Sequence, residues 1–338
     1  MRDFVEILKK VLLARIYNAL KSFTGYYLSK WLGTPVWLAY PLSFSIEPTT
    51  ACNLRCPECP SGLRSFTRNT GNLQKETFQK SLDLLAFKAM AITFYFQGEP
   101  FINRQLFDYV RMAKDRRLFT ITSTNGHFLN AKNCEQIIQS GLDKLIVSID
   151  GLTQETYSTY RIDGELMVVL NGMKLLSDFK KKSKKRLPQI VAQFIVFKHN
   201  EHELKQAYQL LKLYGADRMQ VKTAQIYHET NAKDLLPNNP SLSRYELDQD
   251  GKLKIRNKLL NQCWRMWSSC VITWDGHVVP CCFDKDAKYK VGNINQVDDF
   301  RKIINTPEYM AFRKSLLKSR KEIDICRNCS EGTKVFAS

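Results

Sequence analysis

Cys52-Asn53-Leu54-Arg55-Cys56-Pro57-Glu58-Cys59 sets three thiols in a CxxxCxxC spacing directly after a strand-like apolar run at 42–46. Three sulfurs within eight residues can wrap one face of a metal cluster, and thiolate suits both iron-sulfur clusters and zinc. The loop offers no fourth thiol, which leaves one metal position for a small ligand. By itself the spacing keeps an iron-sulfur centre, a structural zinc site and chance all open.

Outward from this loop, β-type runs alternate with helical periodicity. Strands are expected at 42–47, 91–96, 118–123, 144–149, 189–197 and 218–222, with helices at 75–88, 104–115, 131–140, 164–181 and 201–213. That alternation predicts an α/β fold of parallel βαβ units, either an open barrel or a doubly wound sheet. Ligands in such folds collect at the carboxyl ends of the strands. The polar signals fall there: Gly98-Glu99-Pro100 after the second strand, Ser123-Thr124-Asn125-Gly126 at the third, and Ser148-Ile149-Asp150-Gly151 at the fourth.

The thiol loop and these strand ends, in this order, resemble a radical S-adenosylmethionine (SAM) enzyme. The resemblance implies a partial (β/α)6 barrel in which Cys52, Cys56 and Cys59 bind three irons of a 4Fe-4S cluster and SAM chelates the fourth. It assigns Gly98, Glu99 and Pro100 to the SAM amino group and Ser123, Asn125, Ser148 and Asp150 to its ribose and carboxylate. Arg161 matches an arginine that pairs with that carboxylate. The implied chemistry is reductive cleavage of SAM to a 5'-deoxyadenosyl radical and hydrogen abstraction from a substrate, with a reductant such as flavodoxin or ferredoxin. Two residues depart from the family pattern. Gln97 stands where a glycine is usual, and Glu58 where an aromatic residue lies near the adenine.

A second cysteine group lies downstream. Cys263 is followed by twelve residues, Gly276, four residues and Cys281, and then by Cys326-Arg327-Asn328-Cys329. This resembles the SPASM or twitch extension of radical SAM enzymes, which houses auxiliary clusters. It implies one auxiliary 4Fe-4S cluster on Cys263, Cys281, Cys326 and Cys329, since six thiols with Cys270 and Cys282 cannot fully ligate two. Cys270 reads as a substitute ligand or an ordinary buried thiol. Cys282 follows a ligand where related sulfatase-maturing enzymes carry a catalytic acid, and is the candidate catalytic residue. On spacing alone a four-cysteine zinc site serves equally well. Trp274-Asp275-Gly276-His277 predicts a hairpin turn.

Length and composition bound the rest. The chain has 338 residues, is 44% apolar and carries ten cysteines with a net charge of +18. About two domains are expected. The boundaries read as an amphipathic basic helical segment at 1–41, a barrel at 42–227, a linker at 228–255 rich in Pro and Asn, and a cluster domain at 256–338. Two thiol clusters in a long chain argue for a reducing cytoplasm rather than a disulfide framework. The longest uncharged window, 31–46, is too short for a membrane span and is broken by Pro35 and Pro41.

Residues 2–23 place Phe4, Ile7, Leu8, Val11, Leu12, Ile16, Leu20 and Phe23 at helical spacing, with Arg2, Lys9, Lys10, Arg15 and Lys21 on or beside the other face. Two readings stand: an in-plane helix at an inner membrane surface, anchored by aromatic residues, or a helix packed on the protein's own core. The run 180–186, basic at six of seven positions, reads as a solvated loop. A peptide or protein is the expected substrate, with a small molecule, sugar or membrane lipid as the alternative. Nucleic acid is not expected as a partner, although a non-catalytic zinc protein that binds it is the alternative of another class.

Overall fold

The structure is a computed structural model and describes residues 13–227, 232–250 and 252–335. Six parallel strands, β1 (Ser43–Ile46), β2 (Ala91–Phe94), β3 (Phe119–Thr124), β4 (Lys144–Ser148), β5 (Gln189–Val196) and β6 (Arg218–Thr223), lie side by side in chain order. Crossover helices return each strand to the next: α2 (Lys75–Leu85), α3 (Leu106–Asp115), α4 (Ala131–Ser140), α5 (Gln154–Tyr160) with α6 (Leu166–Lys182), and α7 (Leu204–Leu213). All six expected strands form; in β1 to β5 the inward apolar side chains are sealed by the helices, as Phe44, Ile92, Phe94, Leu145, Val147 and Phe194 show, whereas β6 is a largely polar edge strand with no buried residue. This is the expected partial barrel.

Local periodicity did not reveal how the sheet continues. A short strand, β9 (Ser269–Ile272), lies parallel to β1 with Phe44 opposite Cys270, and β10 (His277–Val279) and β11 (Gly292–Asn293) add antiparallel beyond it. The expected Asp275-Gly276 hairpin is the β9–β10 turn, with Gly276 at φ 86°. Cys270 is thus a sheet-core thiol packed near Arg313, whose guanidinium stacks on Trp37 and Tyr309. The stretch read as a linker carries a helical turn (Ala232–Leu235) and a hairpin of β7 (Tyr245–Leu247) with β8 (Leu253–Ile255). Its apolar residues Ala232, Leu235 and Tyr245 join Leu54, Cys56 and Tyr160 in one buried cluster, so it packs against the thiol loop.

The amino-terminal helix α1 (Leu13–Leu32) docks through a mostly polar stripe rather than through the apolar side that the core-packing reading requires, although Phe23 of that side stacks on Trp264. Arg15, Asn18, Ser22 and Ser29 are buried, whereas Ile16 and Leu20 are exposed. The Arg15 guanidinium donates to the carbonyls of Ala86, Arg116 and Arg117, which close the carboxyl ends of α2 and α3. A cation there satisfies orphan carbonyls and the negative ends of two helix dipoles. Arg2, Phe4, Ile7, Leu8, Lys9, Lys10, Val11 and Leu12 lie outside the described residues. No described helix is long and apolar enough to cross a membrane.

Candidate active site

The thiol loop leaves the carboxyl end of β1 and is fixed by buried polar contacts. Glu47, at that end, accepts two hydrogen bonds from Arg68, at 2.5 and 2.8 Å, and one from the Trp274 amide. The carboxylate therefore ties β1 to the loop that follows it and to the β9–β10 hairpin. Gly98 adopts φ 73°, and a Cβ there would overlap the carbonyl oxygens of Thr49 and Ala51. Only glycine lets the end of β2 pass this close beneath the thiol loop. Gln97, in place of the usual glycine, is buried beside Ser61, whose hydroxyl accepts from the Gly98 amide.

Cys52, Cys56 and Cys59 line one cavity of about 220 Å³ with Gly98, Glu99, Pro100, Ser123, Asn125, Ser148 and Arg161. The structure thus brings together every strand-end residue expected to hold SAM except Asp150. That carboxylate is fully buried beneath the cavity, where it pairs with Arg161 at 2.6 Å and accepts from the Ile195 amide at 2.7 Å. It orients the arginine and ties β4 to β5. Two guanidinium nitrogens of Arg161 contact Asp150, and the third lies 3.7 Å from the Cys56 sulfur.

Glu99 is sealed from solvent and accepts from the Phe101 and Asn125 amides and the Thr124 hydroxyl. Burial still raises its carboxyl to about 7, because desolvation of the anion outweighs these donors. Burial also pushes the Cys52 thiol up to about 11 and the Cys56 thiol upward. Such thiols are neutral in the metal-free chain, and binding iron must displace their protons. The residues fit a cluster. Three thiols without a disulfide partner face one cavity.

Glu58 does not replace its absent aromatic counterpart in kind. It is buried, and its carboxylate accepts from the Tyr227 amide at 2.6 Å, which ties the loop to the chain after β6. On the same side Lys285 lines the cavity, with its ammonium 4.1 Å from the Tyr227 ring centroid and within electrostatic reach of Cys59, Glu58 and Cys282. Tyr95 also lines the cavity and senses Cys282. Sequence reasoning missed Lys285, Tyr95 and Tyr227. Their only local signals are positions at strand ends and, for Lys285, four residues after a thiol.

The four expected ligands of the second cluster form a separate nest. Cys263, Cys326 and Cys329 are buried, and burial pushes the last two up to about 12 and about 11. Gly332 packs so closely on the Cys263 sulfur that a Cβ would overlap it. Arg320 is buried here with no carboxylate partner among the described residues and donates to the carbonyls of Gln262, Cys329 and Glu331; burial lowers its pKa, but the neighbouring cysteine sulfurs outweigh that and raise it. Cys281 donates to Cys282, which raises the first and lowers the second. The Cys282 sulfur sits 3.6 Å from Arg265, itself paired with Glu331.

Comparisons with known proteins agree with this geometry. The model of the Radical SAM superfamily matches residues 46–211, and that of the SPASM iron-sulfur cluster-binding domain matches residues 263–330. An AdoMet-dependent heme synthase of Methanosarcina barkeri is 28% identical over 52% of this chain, which spans about half (48%) of that relative. An S-adenosyl-L-methionine-dependent 2-deoxy-scyllo-inosamine dehydrogenase of Niallia circulans is 24% identical over 84% of this chain and 91% of its own length. The Streptococcus suis SuiB structure bound to precursor peptide SuiA superposes with a TM-score of 0.59 at 14% identity, covering 93% of this chain and 74% of SuiB. These matches overturn the reading as a non-catalytic zinc protein.

Proposed function

Because this chain belongs to the radical SAM superfamily and carries a SPASM domain, we propose that it oxidises or cross-links a peptide or protein held between its two thiol sites. When bound, the groups supply reductive cleavage of SAM, hydrogen abstraction by the resulting 5'-deoxyadenosyl radical, and an acceptor at the second site for the electron left on the substrate. The observation that carries this reading is Lys285, which lines the thiol-loop cavity with Cys59, stands over the Tyr227 ring and lies within electrostatic reach of both Cys59 and Cys282.

The residues divide the work. Cys52, Cys56 and Cys59 hold the first cluster, and Glu99 receives the SAM ammonium once it has lost its proton. Ser123, Asn125 and Ser148 hold the ribose end, while Asp150 presents Arg161 to the carboxylate. Cys263, Cys281, Cys326 and Cys329 hold one auxiliary cluster. Cys282, polarised by Arg265, accepts the proton that leaves the oxidised substrate. A flavodoxin or ferredoxin supplies the first electron. We also place the enzyme at the cytoplasmic face of a membrane, which the outward apolar side of α1 supports.

The peptide reading has support beyond the cavity. Past Tyr227 lies a groove of about 690 Å³ lined by Lys254, Arg256, Lys258, Lys321 and Arg327 against the acidic Glu246. An extended substrate with carboxylates fits such a lining. The full-length likeness to an inosamine dehydrogenase favours the second reading, a small-molecule alcohol.

The test is anaerobic turnover of reconstituted enzyme with reductant and SAM, offering deuterated acidic peptides and deuterated aminocyclitols in parallel. Deuterium appearing in 5'-deoxyadenosine with the peptides supports the first reading, and with the cyclitols alone the second. A protein that cleaves no SAM would refute both. Cys282→Ser is expected to keep its iron and lose substrate oxidation; unchanged turnover would remove Cys282 from the mechanism.

A further inference from the structure

α1 is an inverted amphipathic helix. Its docked stripe, Arg15, Asn18, Ser22, Gly25, Tyr26 and Ser29, is mostly polar or small. The opposite stripe carries Leu13 (85% exposed), Ile16, Tyr17, Leu20 (60%), Tyr27 and Trp31 (81%). At 100° per residue these six positions fall within one narrow sector, interrupted only by Thr24. Eight of the twenty large apolar side chains that the described residues leave exposed lie between Leu13 and Leu38. Apolar surface gathered this way on an otherwise ordinary globular exterior marks an interaction face.

The charges beside it identify the partner. Lys21 and Lys30 flank the stripe, with the Lys21 ammonium 4.6 Å from the Tyr17 ring centroid, and no acidic residue occurs from Leu13 to Ile46. Arg15 touches the turns that lead into β2 and β3, so α1 covers the end of the barrel where the strands begin. The basic run 180–186 leads into β5 and therefore lies at that same end. Lys180 is buried against Asp217, but residues 181–186 are exposed, as are Arg116 and Arg117. With strands roughly 4.8 Å apart, β5 lies about 10 Å from β3 along the sheet. One end of the barrel thus combines an apolar stripe rich in Tyr and Trp with an exposed cationic loop.

We propose that this end docks on an anionic phospholipid bilayer, with the α1 stripe in the interface and the basic segment 181–186, the end of α6 and the loop after it, on the headgroups. Tyr and Trp rings suit that depth, and lysines can reach headgroup phosphates from either side of a helix lying in plane. The proposal specifies the membrane placement made above and is independent of the radical chemistry. It also constrains that chemistry. The cavity lies at the carboxyl ends of the strands, about 16 Å away for five-residue strands. The site therefore faces the aqueous side, which suits a peptide or a water-exposed group better than an acyl chain.

The test is anaerobic flotation of the full chain with phosphatidylcholine vesicles and with vesicles containing phosphatidylglycerol. Wild type should float with the anionic vesicles and remain behind with the neutral ones. Leu20→Glu/Trp31→Glu should abolish flotation, and Lys181→Gln/Lys182→Gln/Lys184→Gln/Lys185→Gln should weaken it on the order of tenfold or more, both with unchanged melting curves and SAM cleavage. Wild type that stays soluble with both vesicles would refute membrane placement itself. Flotation unaffected by either variant would leave membrane binding intact but overturn this surface. A concentration-dependent dimer in light scattering, dissolved by the glutamates in a chain that binds no lipid, would assign the stripe to a second copy and overturn the proposal.

Discussion

The two thiol sites of this chain are made from the same ligand and differ in what surrounds it. The amino-terminal loop contributes three thiols and places them on a cavity lined by the polar ends of β2, β3 and β4. The carboxyl-terminal nest has four, buries three of them and packs Gly332 against one. Their cations differ as well. Arg161 is already neutralised by Asp150, whereas the Arg320 side chain donates to carbonyls and pairs with no carboxylate among the described residues, which leaves its charge for the thiol nest. An open three-thiol site on a polar cavity is built to bind and activate a ligand. A closed four-thiol site beside an uncompensated cation is built to hold charge.

Removing the open site should have the largest effect. Cys52→Ala/Cys56→Ala/Cys59→Ala should reduce SAM cleavage by roughly a thousandfold or more, since the first electron then has no route to SAM. Residual cleavage near wild type, measured by chromatography of 5'-deoxyadenosine, would break the comparison. Cys326→Ala/Cys329→Ala should lower bound iron from about eight to about four per chain. It should keep SAM cleavage within a few-fold while substrate oxidation is lost. Equal loss of both activities would mean that the two sites are not separable in function.

Glu99 sharpens the comparison further. Its carboxyl titrates at about 7 in the free chain, so below that pH it is neutral and must release a proton to pair with an ammonium. SAM affinity should therefore rise as pH increases through about 7. Glu99→Gln should flatten that rise and weaken binding above pH 8 by on the order of tenfold, the usual scale for a buried charge-assisted hydrogen bond. Calorimetric titration across pH 6 to 9 gives both results. The smallest effect is expected at Glu58. Glu58→Gln keeps an acceptor for the Tyr227 amide and should change the SAM dissociation constant only a few-fold; a larger loss would give the carboxylate a direct role.

The fold was legible because β1 to β5 are short runs with buried apolar positions bounded by turns, and local pattern suffices for that; β6, polar and at the sheet edge, followed from the alternation of strand and helix. The seventh parallel neighbour, β9, was not, since nothing in Ser269-Cys270-Val271-Ile272 encodes pairing with a strand more than two hundred residues earlier. Covalent chemistry made the thiols visible, because cluster ligation restricts residue type and spacing. Lys285, Tyr95 and Tyr227 approach Cys282 only after the sheet closes through β9, and no spacing rule anticipates that. α1 shows a further limit of periodicity, which located a stripe but not which stripe the protein would use. The carbonyls awaiting Arg15 decided that.

Electron paramagnetic resonance of the reduced, anaerobic protein with and without SAM tests the difference between the sites most directly. Two reduced-cluster signals are expected. SAM should perturb only the one that disappears in Cys52→Ala/Cys56→Ala/Cys59→Ala and leave unchanged the one that disappears in Cys326→Ala/Cys329→Ala. Perturbation of the second signal, or of neither, would contradict the assignment of the open site to SAM.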